Sequence, residues 1–296
     1  MGFTLAASFR LPWAATRKRN SMSIETNVAN YYTRGRLEDS ILQALSRAGK
    51  DLANLTHGDL AALDEFHVGG REATQELAAQ MELRPGIHLL DVGSGIGGPA
   101  RYFAAEQGCR VTGVDLTEEF VFVSRSLTRR TKLDHAVEFL QGSALALPFE
   151  TGSFERAYTI HAGMNIADKL GLCREVRRVL RAEGLFAIFD LMRTAQGPIH
   201  YPVPWALTEE TSFVAYVNDY RDTLTAAGFH VTRERHRGDF ALDFMQRMMA
   251  RVAQGGPPAL GLHLLMGEPT KLMLNNVHTM IQEGILEPIE LFARAV

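Results

Sequence analysis

Only two of the 296 residues are cysteine, Cys109 and Cys173. They stand far apart and in no C-x-x-C pairing, which excludes a disulfide framework or a zinc knuckle and suits a reducing, cytoplasmic setting. No apolar run approaches the roughly 20 residues that a membrane helix needs, so no membrane span is expected. Basic charge is not in excess. The 31 Lys and Arg stand against 34 Asp and Glu, a formal charge of -3, which argues against nucleic acid as a partner. The ten histidines include no H-E-x-x-H or comparable ligand pair, so no metal site is expected. What the chain does have is apolar bulk: 46% of it is hydrophobic, enough for a substantial core.

Acid is also missing from the start. The first 24 residues carry Arg10, Arg17, Lys18 and Arg19 and no acid before Glu25. There is no clean apolar stretch followed by a small-residue cleavage site. Residues 1–24 are therefore expected to be a disordered tail, with Met22 as a working start.

Apolar residues at helical spacing over 36–48, 59–64 and 71–81 predict a helical N-terminal lobe, residues 25–85. The period then changes. Short apolar runs at 88–92, 110–114, 137–141, 157–160 and 185–192 alternate with helical stretches at 99–107, 118–128 and 170–181. This alternation predicts a parallel sheet covered on both faces. Residues 193–207 are loop-like, and 212–227 read as a helix. Strands at 230–235 and 288–295 follow, with helices at 239–253 and 268–283 between them. The expected fold is α/β: a seven-stranded sheet with helices on both faces, a helical N-terminal lobe and a helical insertion between the last two strands. The main domain would cover 86–296, with insertions at about 193–211 and 239–286.

The first strand runs into LLDVGSGIGGPARYFA, Leu89 to Ala104, where Gly93, Gly95 and Gly98 satisfy G-x-G-x-x-G. Ligands of such sheets sit outside the carboxyl ends of the strands. The glycines let backbone approach a ligand, and the next helix offers free N–H groups. Asp91 precedes the first glycine by two residues. It would repel a dianionic pyrophosphate and attract an ammonium. Asp115, about 20 residues further on, ends the second strand and can accept ribose hydroxyls. A ligand with ribose and ammonium but no phosphate is S-adenosylmethionine. An NAD-dependent oxidoreductase would share the loop but gives no reason for Asp91.

The motifs LLDVGSGIGGPAR, VTGVDLT, GSALALPFETGSFERAYTI and EVRRVLRAEGLFAIFD, over about 89–190, resemble the class I S-adenosylmethionine-dependent methyltransferases in order and spacing. The resemblance implies a Rossmann-like methyltransferase sheet and S-adenosylmethionine as cofactor. It places Asp91 at the methionine ammonium, and Gly93, Ser94, Gly95 and Gly97 along the methionine part. Asp115 would bind ribose, Leu116 would lie under the adenine, and Ser143 and Ala144 would face the adenine edge. His161 would sit beside the sulfonium. Ser143 stands where the family usually has Asp, and Glu155 replaces another Asp.

Leu63 to Thr74, LDEFHVGGREAT, resembles a segment of methyltransferases of the sarcosine/dimethylglycine type and their bacterial relatives. There it covers the cofactor, with Tyr31-Tyr32 closing over it. This implies Tyr32, His67 and Gly70 at the cofactor and Tyr31 at the substrate. Read alone, His67 is lobe packing and Gly70 a turn. His161 and His67 are the candidate bases, although His161 could equally be a satisfied histidine under the cofactor. Asn165 is a candidate substrate contact or a turn cap, and Trp205 a substrate wall or a plug. Met245, Met248, Met249, Met266, Met273 and Met280 read as helix packing, or else as a flexible apolar lining. The expected function is methyl transfer to a small molecule, with a sarcosine- or dimethylglycine-like amine as first choice. C- or O-methylation of a quinone-, sterol- or polyketide-like acceptor is the alternative; an oxidoreductase or a non-catalytic S-adenosylmethionine-binding protein comes behind it. A homodimer is left open.

Overall fold

The computed structural model describes residues 21–256 and 258–296, with backbone alone for 21–23. The tail expected over 1–24 lies outside the described residues as far as residue 20. Residues 21–24 instead form the first turn of helix α1 (Ser21–Tyr32).

The strands β1 (His88–Val92), β2 (Arg110–Asp115), β3 (Val137–Gln141), β4 (Phe154–Ile160), β5 (Leu180–Arg193), β6 (Phe229–His236) and β7 (Leu286–Ala295) form one sheet. Their order is β3-β2-β1-β4-β5-β7-β6. The first five pair in parallel, and β7 runs antiparallel between β5 and β6. The order reverses between β1 and β4, which opens a crevice at their carboxyl ends.

β5 shows why both faces are covered. Successive side chains of a strand point to opposite sides. Phe186 and Ile188 pack with Leu172 and Val176 of α7 (Lys169–Val179) and Leu224 of α8 (Val217–Ala226). Ala187 and Phe189 pack on the other side with Leu77 of α4 (Gly70–Gln80) and Phe103 of α5 (Gly98–Gln107). All four β5 side chains are fully buried, each large one contributing about 1.5–3 kcal/mol.

The N-terminal lobe docks beside this sheet. Leu37, Ile41, Ala44 and Leu45 form the buried stripe of α2 (Leu37–Arg47) and meet Phe120, Val123 and Leu127 of α6 (Glu118–Arg130). A reciprocal capping box between Thr56 and Asp59 starts α3 (His57–Asp64), satisfying two otherwise unpaired N–H groups. The turn between α1 and α2 is held by Glu119, which accepts from the Gly35 and Leu37 amides at 2.9 Å each.

Between β6 and β7 lie α9 (Gly238–Gly255), α10 (His263–Met266) and α11 (Thr270–Gln282), the expected insertion. Met245, Val277 and Met280 pack with Val203, Trp205 and Met164. The helix expected over 212–227 is only α8. Residues 212–216 are diverted by long-range bonds: the Phe213 amide donates to Met164 O at 2.7 Å, and Ala215 O accepts from Arg193 at 2.9 Å.

Candidate active site

The glycine loop is shaped by what lies against it. Gly93 has φ +78°, and a Cβ there would stand 2.3 Å from Ala162 Cβ, so only glycine lets the loop after β4 close down. Arg101 is fully buried and clamps the loop from behind. It donates to Ile96 O at 2.7 Å, Asp64 Oδ2 at 2.8 Å and Thr128 Oγ1 at 3.0 Å.

Two of the carboxylates that line the crevice belong to strands, Asp91 to β1 and Asp115 to the end of β2. Asp115 accepts the Gly95 amide hydrogen on Oδ2 at 2.8 Å and the Thr117 amide on Oδ1 at 2.9 Å. Each oxygen keeps a lone pair for another donor. Burial raises its carboxyl pKa, and these hydrogen bonds work against the rise. Asp91 is buried and its Oδ2 has no hydrogen-bond partner among the described residues. Burial pushes its pKa up to about 8.

Both carboxylates line a cavity of about 540 Å³, with Ser94, Gly95, Leu116 and Ala144 also on its wall. A smaller chamber of about 60 Å³ adjoins it, walled by Val68, Met164, Trp205, Phe244, Met245, Met248 and Met266 among others. Tyr32, Phe66, His67 and His161 line both. They form the junction. Met248 and Met266 thus serve the lining, whereas Met273 and Met280 are buried in helix packing.

The structure brings most of the expected residues together. Asp91, Gly93, Ser94, Gly95, Asp115, Leu116, Ala144, Asn165, His161, His67 and Tyr32 all reach the larger cavity. Trp205 walls the chamber, 1% exposed, with its indole N–H donated to Ser212 Oγ at 2.9 Å. Four residues stand back from the walls. Gly97 caps α5 against Phe139. Ser143 donates to Glu25. Gly70 offers its carbonyl to His67. Tyr31 donates its hydroxyl to Pro204 O at 3.0 Å. The sequence reading missed Ile24, Glu25 and Val28 of α1, Asp64, and Phe120, all on the cavity wall. Glu25 and Val28 sit three apart on one helix face, the signal that was available.

His161 stands at the carboxyl end of β4 with φ +52°, an uncommon conformation for a side-chain-bearing residue. Its amide donates to Phe189 O at 2.7 Å. The following turn, 163–165, is anchored from below by Asp190, which accepts from the Gly163 amide at 3.3 Å and the Tyr220 hydroxyl at 2.8 Å. Burial pushes Asp190 up to about 7. His161 Nε2 is buried without a partner, and burial holds its ring neutral. Among the described residues no cluster of His, Cys, Asp and Glu could hold a metal ion, and no helix is long and apolar enough to cross a membrane.

A family model described as a methyltransferase domain matches residues 90–188. The chain is similar to 24-methylenesterol C-methyltransferase 2 of Oryza sativa subsp. japonica, 36% identical over 129 residues, 42% of this chain and 36% of that protein. It is also similar to sarcosine/dimethylglycine N-methyltransferase of Halorhodospira halochloris, 31% identical over 158 residues, 52% of this chain and 56% of that one. The chain thus spans between about a third and a little over half of these relatives. A crystal structure of a putative sarcosine dimethylglycine methyltransferase from Galdieria sulphuraria shares the fold with a TM-score of 0.62 at 17% identity, covering 88% of this chain and 98% of that one. Residues 90–188 thus match the methyltransferase-domain family, and the chain shares its fold with the Galdieria methyltransferase structure.

Proposed function

We propose that the protein is an S-adenosylmethionine-dependent methyltransferase whose acceptor is an uncharged, apolar small molecule, methylated on oxygen or carbon. The donor set of the larger cavity fits the cofactor. Asp91 has an unpartnered buried oxygen for an ammonium, Asp115 has two oxygens with lone pairs free for ribose hydroxyls, and Leu116, Ala144 and Leu145 give an apolar slot for a base. When bound, the cofactor supplies an electrophilic methyl group on a sulfonium. The chain's residues do the rest. Ile24 and Val28 of α1 cover the cavity and exclude water, and the junction residues hold the acceptor in line with the methyl group.

The observation that carries the acceptor class is the chamber itself. Among the described residues its lining holds no Lys, Arg, Asp or Glu, and the larger cavity holds no Lys or Arg. A zwitterionic amino acid such as sarcosine needs a cation for its carboxylate, because a buried unpaired carboxylate is costly. The name of the Halorhodospira relative supports an amine, and that of the Oryza relative a sterol carbon. The walls favour the apolar kind, and methionine side chains can repack around it.

The test is calorimetric titration with S-adenosylmethionine and NAD, then a methyl-transfer screen. Micromolar binding of S-adenosylmethionine is expected (about -8 kcal/mol), with no comparable NAD binding. Apolar phenols, quinols and sterols should outperform sarcosine and dimethylglycine. Faster methylation of the amino acids would overturn the acceptor class.

A further inference from the structure

Behind the junction, side chains from the end of α3 and from α4 converge on His67. Its Nε2 lies 3.0 Å from Gly70 O and 3.2 Å from Thr74 Oγ1. A carbonyl oxygen only accepts, so the proton of the neutral ring sits on Nε2. The Thr74 hydroxyl donates onward to Glu65 Oε2 at 2.7 Å, which leaves its oxygen to accept from His67. Glu65 is itself fully buried at its side chain, is held by Arg71, and places Oε2 3.8 Å from His67 Nε2. The tautomer leaves a lone pair on Nδ1, which meets no donor among the described residues, and the ring lines both cavity and chamber. A carboxylate, a hydroxyl and an imidazole buried in series are more than packing requires, since a buried carboxylate is costly to desolvate.

We propose that His67 Nδ1 is the base that takes the acceptor's proton, and that Thr74 and Glu65 are positioning residues that fix its tautomer and steady the imidazolium. This rests on the apolar-acceptor reading and narrows it to a hydroxyl that is not ionised at neutral pH, an apolar phenol or enol. The acceptor's O–H bond breaks and its electron pair stays on oxygen to form the O–CH₃ bond. The electron pair of the donor's C–S bond stays on sulfur, and the proton goes to Nδ1. The imidazolium keeps its Nε2–H contacts with Gly70 and Thr74 and returns the proton to water after product leaves.

The groups around the ring suit this. Asp64 and Glu65 face it from α3 and its C-terminal end, Arg71 from α4, and His161 from the end of β4 with ring centroids 5.9 Å apart. Burial holds the free ring at about pKa 4, Arg71 adding to the fall, with Gly70 and Asp64 opposing it. The ring is thus neutral at pH 7, with its Nδ1 lone pair not already taken by a proton, and it needs Thr74 and Glu65 to steady the cation once it forms.

The full chain tests this in two ways. Nitrogen NMR of histidine-labelled protein, with His67 assigned through His67→Asn, should show a protonated Nε2 and a pyridine-like Nδ1 at pH 7. The opposite tautomer overturns the proposal, whatever the variants do. The kinetic probe is a set of para-substituted phenols of graded acidity. For phenols un-ionised at pH 8, His67→Asn should lower kcat on the order of 100-fold, and Thr74→Val or Glu65→Gln on the order of 10-fold. Phenols already ionised no longer need the base and should lose at least about tenfold less than the un-ionised ones, and the Thr74 and Glu65 variants should bind S-adenosylmethionine as the wild type does. Equal losses across the series overturn the base. Cofactor binding with no phenol methylated overturns the hydroxyl acceptor and leaves the cofactor reading standing. Failure of the wild type to bind S-adenosylmethionine instead overturns the methyltransferase reading itself.

Discussion

The Tyr32 hydroxyl donates to Asn165 Oδ1 at 2.8 Å, across 133 residues of chain. The same amide donates through Nδ2 to Trp205 O at 2.8 Å and to Thr211 O at 2.9 Å. Asn165 therefore joins α1, the turn after β4 and the segment that walls the chamber. Its oxygen accepts one bond and its NH₂ donates two, which occupies both donors. Since α1 also covers the larger cavity, access to that cavity and the shape of the smaller chamber are coupled through one side chain.

Breaking that latch should loosen α1. Tyr32→Phe removes one hydrogen bond, with a net worth of about 1 kcal/mol, and should speed release of S-adenosylhomocysteine roughly fivefold. Asn165→Ala removes all three and should speed it roughly 10- to 100-fold. Stopped-flow displacement reads the release, and hydrogen exchange reads the opening of α1. Unchanged exchange in α1 in both variants would show that the contact does not hold the helix down.

Asp115 has a double duty, because it holds the glycine loop through Gly95 as well as offering acceptors to the cavity. Asp115→Ala should weaken S-adenosylmethionine binding by about 1.5–3 kcal/mol, roughly 10- to 100-fold, as expected for hydrogen bonds to a charged acceptor. Asp115→Asn keeps one acceptor oxygen and should fall between. Calorimetry on folded variants checks both, and an alanine variant with wild-type affinity would remove Asp115 from the binding site.

The parts of the fold legible in the sequence are those set by neighbouring residues. β1 and β3 fall at the expected residues, because a short apolar run ending in a turn is a local signal. The glycine loop and the Asp at the end of β2 were legible for the same reason. What the sequence concealed depends on distant partners. α1 has a weak apolar stripe, and its buried Val28 and its Tyr32 bond only make sense once the cavity exists. Residues 212–216 carry a helical pattern, but Arg193 and Met164 capture their backbone. Asp64 and Arg101 lie 37 positions apart and read separately as surface charges, yet both are buried.

That last pair should matter for stability. Removing one partner of a buried ion pair leaves an uncompensated charge and costs about 3–5 kcal/mol. Arg101→Met strands Asp64 and frees Ile96 O behind the glycine loop. Urea denaturation should show a loss of that size. The double variant Asp64→Leu with Arg101→Met should recover a good part of it, since no buried charge is left. A loss under about 1 kcal/mol for Arg101→Met would mean that water reaches the pair.

Asp91 is expected to link cofactor binding to pH. Its carboxyl has a pKa of about 8, raised by burial first; the neighbouring Tyr158 hydroxyl opposes the rise, and the nearby Asp115 and Glu65 add to it. In the unfolded chain it titrates near 4. The folded value lies above the unfolded one, so the group's stabilising contribution is complete below about pH 4 and is lost as pH rises through about 8. At pH 7 the free protein therefore carries the proton on roughly 0.9 of its molecules. An ammonium beside the carboxylate favours the charged form and drives that proton off. Binding of S-adenosylmethionine at pH 7 should release most of one proton, and at pH 9.5 almost none. Calorimetry in buffers of different ionisation enthalpy measures the release as the slope of observed against buffer enthalpy. Asp91→Asn has no carboxyl to titrate and should flatten the slope at pH 7 as well as weaken binding. A wild-type slope near zero at pH 7 would mean that Asp91 does not meet the ammonium, and the cationic end of the cofactor would then have to lie elsewhere on the cavity wall.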